Sequence, residues 1–200
     1  MAFRTFLFAA FCISNSLLFA QDTEETETKT YEKRVYTTAS IVGKGEISID
    51  GKIDEAVWDI VEWTTDYTEF EPDVGTPPTE QTKMKILYDD KNLYVAFRCY
   101  EADPSSIVKR MGRRDSFAGD WVELNIDRYG DDRTGFSFTA SASGVKGDEF
   151  ISNNGNNWDT SWNPIWYLDT QIDDEGWTAE IKIPLSQLRF RNDEEQVWGL

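Results

Sequence analysis

Between Asp115 and Asp127 the chain reads Asp-Ser-Phe-Ala-Gly-Asp-Trp-Val-Glu-Leu-Asn-Ile-Asp, and an aromatic ring, a carboxylate and an amide recur there at alternate positions, Trp121, Glu123 and Asn125. A period of two puts these three on one face of a strand and Val122, Leu124 and Ile126 on the other. A carboxylate accepts hydrogen bonds from hydroxyl groups, and an aromatic plane takes up apolar surface. With Phe117 just upstream, the set suits a ligand that carries both kinds of group. It equally suits a solvated outer face of an antiparallel sheet, and the sequence leaves both readings open.

Two further groups of residues bear on chemistry. Trp158-Asp-Thr-Ser-Trp162-Asn-Pro-Ile-Trp166 concentrates indoles around a proline that argues against helix, so Trp158 and Trp162 are expected in an ordered loop, either as platforms or as a plug over the core. The acidic stretches Asp115 to Asp120 and Gly147 to Asn157 offer oxygen ligands, and Asp115 and Asp120 are candidates for a structural Ca²⁺ ion. Asp and Asn are also what tight turns use.

Several chemistries are excluded outright. The 200 residues contain no histidine, which removes His-dependent triads, His general bases and His-ligated zinc. Cys12 and Cys99 are the two cysteines, and Cys12 lies in a segment expected to be removed, so no internal disulfide framework forms. A net charge of −17 is the wrong sign for a phosphate backbone, so nucleic acid is not expected as a partner. Neither a Gly-rich phosphate loop nor a nucleophile elbow is present.

The elements that would position the candidate residues follow from patterning. Residues 1–20 read as a signal peptide, with Arg4 ahead of an apolar run and Ala20 before Gln21. Residues 21–33 are a Thr- and Glu-rich flexible acidic leader with almost nothing to bury. Folding is expected from 34 to 200. Ile47 to Trp58 reads as a short strand, an Asp50-Gly51 turn, and a brief helix capped by Asp54 that points Val57, Trp58 and Val61 inward. Thr82 to Tyr88 and Leu93 to Cys99 alternate as a hairpin across Asp89 to Asn92. The Trp121 strand turns at Tyr129 to Asp132 into Gly135 to Ala140, with Phe136 and Phe138 inward. Gly144 to Asn157 reads as loop, and Trp166 to Ile172 turns back into Trp177 to Ile183, with Thr178, Glu180 and Lys182 outside. Glu195 to Leu200 begins another apolar strand, so the domain is expected to be incomplete at its C-terminus. Short strands, frequent turns and only single helical turns predict an all-β, antiparallel β-sandwich, jelly-roll-like, with its last strand or strands cut off. No run is long and apolar enough for a transmembrane helix, although this says nothing of β-barrel strands.

Four stretches in order, Ile49-Asp-Gly-Lys-Ile-Asp-Glu-Ala-Val-Trp58, Ile86-Leu-Tyr-Asp-Asp-Lys-Asn-Leu-Tyr-Val95, Asp120-Trp-Val-Glu-Leu-Asn-Ile-Asp127 and Gly176-Trp-Thr-Ala-Glu-Ile-Lys-Ile-Pro184, resemble carbohydrate-binding module family 9. The resemblance implies a noncatalytic β-sandwich, often calcium-bound, attached to polysaccharide-degrading enzymes such as xylanases. It is nearest to bacterial members in which the domain opens a longer exported protein with a β-rich, outer-membrane region downstream. By the same resemblance Phe117 matches one half of an aromatic clamp and Glu123 a carboxylate that bonds sugar hydroxyls. Thr139 stands where sugar-binding members have a basic residue, and the second clamp aromatic would lie beyond Leu200.

Three readings result. The first is a domain that binds oligo- or polysaccharide of the xylan or glucan type through Phe117, Trp121, Glu123, Trp158 and Trp162. The second is a structural or partner-binding domain without a sugar site, and the replacement at Thr139 favours it. The third, a glycoside hydrolase, needs two carboxylates across a cleft, and no spacing singles out such a pair. All three expect export to the periplasm, outer membrane or cell surface. N-terminal sequencing of the secreted protein is expected to begin at Gln21 or its cyclised form, and a retained Met1 would overturn the export reading.

Overall fold

The computed structural model describes residues 34–188 and 196–200. The expected signal peptide and leader, and the start of the last apolar stretch at Glu195, lie outside the described residues. Arg34 and Val35 belong to an N-terminal unit ending at Val35, and Tyr36 to Leu200 form the unit described below.

Among the described residues there are nine strands: β1 (Ala39–Ser40), β2 (Thr82–Tyr88), β3 (Asn92–Tyr100), β4 (Trp121–Ile126), β5 (Gly135–Ser141), β6 (Lys146–Ser152), β7 (Asn157–Asp159), β8 (Tyr167–Asp173) and β9 (Gly176–Pro184); the short strand expected at Ile47 is not among them. They form two sheets, one in the order β1-β2-β3-β9-β8 and one in the order β4-β5-β6-β7. Pairing is antiparallel except for β1, which runs parallel to β2. The helical content of the described residues is three short 3-10 turns, Ala56–Ile60, Pro104–Ser106 and Leu185–Gln187, and no helix among them is long and apolar enough to cross a membrane.

The core between the sheets comes from the alternation. Leu93, Val95 and Phe97 of β3 and Ala179, Ile181 and Ile183 of β9 cluster with Leu124 and Ile126 of β4 and Phe136 and Phe138 of β5, and Trp166 and Trp177 belong to the same cluster. Burial of this apolar surface supplies most of the driving force for the sandwich. Cys99 lies in the same layer, and burial pushes its thiol up to about 12, which leaves it chemically quiet.

The larger sheet is buried on both sides, which the sequence reading did not expect. Leu87, Tyr94 and Ala96 leave the core face and pack under Ile41, Ile47, Val57 and Trp58 from the segment ahead of β2. Glu180, expected outside, is therefore 0% exposed. Its carboxylate accepts hydrogen bonds from the backbone N–H of Asp50 at 3.1 Å and of Gly51 at 3.0 Å and from the Trp58 indole at 3.3 Å. Beside it Thr178 donates to the Gly51 carbonyl at 2.5 Å, and Lys85 donates to the Trp58 carbonyl at 2.7 Å. Gly51 is required there: φ is +81°, and a Cβ would sit 2.8 Å from the Thr170 backbone.

Two local expectations are corrected here. Asp54 does not cap a helix: the turn starts after Glu55, has no side-chain cap, and is closed by the Trp58 N–H to Glu55 carbonyl bond at 3.0 Å. Gly144 to Asn157 is not a loop but contains β6 and the start of β7. Gly144, with φ +77°, ends the turn from β5, and Asn153 to Asn156, with positive φ at Asn153, Asn154 and Gly155, make the turn into β7, so the Asn and Gly residues mark hairpins between strands.

Loss of hydration raises the Glu180 pKa from 4.5 to about 7 despite its donors, and the neighbouring Glu55 charge pushes the same way. The folded protein then binds a proton more tightly than the unfolded chain, so this group's stabilisation is complete below pH 4.5 and is lost as pH rises through 7. Denaturant titrations should show the native protein losing stability relative to Glu180→Gln across that window. A constant difference between the two would show that Glu180 titrates as it does in the unfolded chain.

Candidate functional site

The outward face of the smaller sheet is set by register. Trp121, Glu123 and Asn125 of β4 stand opposite Ser141, Thr139 and Ser137 of β5, and the latter two stand opposite Gly147 and Glu149 of β6. Ile151 continues the row on β6 and faces Trp158 on β7. Six side chains capable of hydrogen bonding and two indoles thus share one face, while Leu124, Ile126, Phe136 and Phe138 share the other.

Glu123 is the centre of this face. Its carboxylate accepts from the Asn125 amide at 2.6 Å and from the Thr139 hydroxyl at 3.4 Å, which orients it. Phe117 arrives from the loop before β4 and lies on Gly147, where a Cβ would be 1.9 Å from the ring. Its ring centroid is 6.1 Å from that of Trp121 at an interplanar angle of 41°, so the two make an open aromatic corner beside the carboxylate. Trp121 is 49% exposed. Thr139, at the matched basic position, is buried and carries no charge to the site.

Glu149 is a residue of this face that the sequence reading missed. Desolvation, and then the Glu123, Asp115 and Asp148 charges, raise its pKa above the ordinary glutamate value. The signal was the alternation Gly147, Glu149, Ile151, hidden because Gly144 and Gly147 suggested a loop. The next residue inward, Asp148, faces the core, where it accepts from the Trp166 indole at 2.9 Å and pairs with Arg114.

The five residues expected to contact a ligand therefore divide. Phe117, Trp121 and Glu123 are brought together, and Trp158 lies on the same face at its far corner. Trp162 is elsewhere: its ring centroid is 4.7 Å from Phe136 and 5.6 Å from Phe138, which makes it part of the core. Asp115 and Asp120 do not form a ligand set. Asp115 accepts from the Asp148 N–H at 3.0 Å and Asp120 from the Val108 N–H at 2.9 Å, so both staple the loop that carries Phe117. Among the described residues no group of three or more Asp, Glu, His or Cys is placed to share a cation.

Residues 49–200 match the family described as carbohydrate family 9 binding domain-like. The chain belongs to this family. The family 9-like domain is similar to two solved structures of a carbohydrate binding module family 9 from Caldicellulosiruptor kristjanssonii. One, in complex with glucose, has 21% identity and a TM-score of 0.56 over 83% of this chain and 75% of that one. The other, in complex with cellotriose, has 23% identity and a TM-score of 0.54 over 77% and 68%. At these identities they establish a shared β-sandwich fold. No curated protein matches the sequence significantly.

The division of the tryptophans is measurable. Trp162→Ala should lower unfolding free energy by about 3 kcal/mol or more, as for a truncated core aromatic. Trp158→Ala, at 43% exposure, should cost far less. Equal losses in urea denaturation would contradict this assignment.

Proposed function

We propose that this is a noncatalytic saccharide-binding domain and that the outward face of β4 to β6 is its binding surface. The observation that carries the reading is the Glu123 carboxylate, held by Asn125 and Thr139 next to the Phe117 and Trp121 rings. A pyranose presents a CH-rich face, which packs on an aromatic plane, and a rim of hydroxyls, which donate to a fixed carboxylate. Glu123 and Glu149 both accept, and the neutral Thr139 leaves the face suited to uncharged sugars. Family membership supports the same reading, and the glucose and cellotriose bound by the two similar proteins make glucan-type chains the first ligands to test, with xylan-type chains beside them. With the apolar N-terminal run, the proposal extends to a domain exported to the periplasm or cell surface, where it tethers a polysaccharide for degradation by an associated region.

In calorimetry with cello- and xylo-oligosaccharides, Glu123→Ala should weaken binding by about 1 to 3 kcal/mol through loss of charge-assisted bonds. The melting temperature should stay nearly unchanged, since Glu123 packs outside the core. Failure of the native protein to bind any member of a soluble glycan panel would replace this reading with that of a structural or partner-binding domain. Release of shortened products would replace it with hydrolysis.

A further inference from the structure

A concavity separate from the Glu123 face lies where β8, at one end of the larger sheet, meets the segment ahead of β2. It encloses about 340 Å³ and is lined by Ile47, Ile49, Lys146, Tyr167, Leu168 and Lys182. That volume is enough for one small organic molecule. Both sheets and the covering segment contribute to it: Lys146 opens β6, Tyr167 and Leu168 open β8, and Lys182 stands on β9. Register sets Lys182 between Tyr94 of β3 and Tyr167 of β8.

In a chain with 37 acidic and 20 basic residues, a lysine ordinarily has a carboxylate within reach. Among the described residues Lys182 forms no ion pair and no side-chain hydrogen bond. Glu46 and Asp89 line the adjoining hollow, which shares Ile47 and Lys182, yet neither pairs with it. Asp89 is occupied by the Lys91 N–H at 2.7 Å, the Tyr94 hydroxyl at 2.9 Å and the Asn92 amide at 3.2 Å. The Lys182 Nζ atom is 5.9 Å from the Tyr94 ring centroid and 5.6 Å from that of Tyr167, close to the roughly 6 Å limit of a cation–π contact. The rings therefore steer the side chain and leave its three donors unused. The Lys146 Nζ atom donates to the Trp166 carbonyl at 2.6 Å and keeps two. Burial, and then the Arg114 charge, lower the Lys146 pKa, and the Asp148 charge does not make up the difference, so this ammonium too is short of counter-charge.

Two ammonium groups with spare donors call for an anion, and a carboxylate offers one oxygen to each. A bare inorganic ion would leave the rest of the lining unused: Ile47 and Ile49 form an aliphatic wall, and the Tyr167 ring is 50% exposed. We propose that this notch is an anion site that takes the carboxylate of a ring-bearing organic acid, with Lys146 and Lys182 donating to the carboxylate and Tyr167, Ile47 and Ile49 packing on the ring. None of Phe117, Trp121 and Glu123 lines it, so the site is independent of the saccharide-binding reading.

Calorimetric titration of the intact chain with 4-hydroxybenzoate and with glucuronate, which carry the same carboxylate on an aromatic and on a sugar ring, tests the site against the uncharged 4-hydroxybenzamide and glucose. At least one acid should bind about fivefold or more tightly than its uncharged counterpart, and the acid that does so identifies the kind of ring. Lys182→Gln and Lys146→Gln should each weaken that acid at least about fivefold, and Lys182→Arg, which keeps the charge, should recover most of the loss. Added salt should weaken the acid and leave the uncharged counterpart unaffected. Melting temperatures identify a variant that does not fold, and the two Lys182 variants, at a partly exposed position, then decide alone. Lys182→Gln should change binding of cello-oligosaccharides less than twofold, and an equal loss of both ligands would place the acid on the saccharide face and overturn the proposal. If neither acid binds better than its counterpart, or if Lys182→Gln leaves the acid's affinity unchanged, the notch is not an anion site, whatever the smaller sheet binds.

Discussion

The carboxylate of Glu180 holds the fold's second layer in place. It sits at 0% exposure on the outer side of the larger sheet and receives three hydrogen bonds from a segment some 130 residues earlier in the chain. An isolated buried carboxylate is costly, and a partnered one has its full effect only when every donor is in place. The segment from Ile47 to Trp58 thereby becomes a lid over Leu87, Tyr94 and Ala96, and the larger sheet is enclosed on both sides. Arg98, bonded to Asp173 at 2.6 and 2.8 Å and to Glu175 at 3.1 Å, fixes the neighbouring β8–β9 turn in the same layer.

With that side covered, the smaller sheet carries the proposed binding face. Its outward residues are positioned by short loops and not by long side chains. Asp115 and Asp120 bind backbone N–H groups at either end of the loop before β4, and Phe117 is delivered between them onto Gly147. Thr139 and Asn125 then aim the Glu123 carboxylate. Two carboxylates, Asp115 and Asp120, thus hold the loop that carries an aromatic ring.

How much of this could be read from the sequence depended on whether the controlling interaction was local. Alternation in β2, β3, β4 and β9 is a property of neighbouring residues, and with it came the sandwich, the core and the shared face of Trp121, Glu123 and Asn125. β6 was misread because glycine ordinarily weakens a strand, whereas Gly147 is there to admit a ring from another loop. Glu180 was read as exposed because its partners come from the far end of the chain, and a period of two gives only the side of the sheet, not what covers that side. Trp162 and Trp158 have the same residue type and nearly the same neighbours. Only the packing of Trp162 on Phe136 and Phe138 separates core from surface.

The contact between Phe117 and Gly147 stores part of the site's shape in a missing side chain. Any residue other than glycine at 147 would occupy the slot and lift the ring off the sheet, leaving the core and the carboxylate where they are. One position on β6 therefore tunes the depth of the face independently of its hydrogen-bonding chemistry. Drift or engineering there would yield a shallower or flatter surface on an unaltered scaffold.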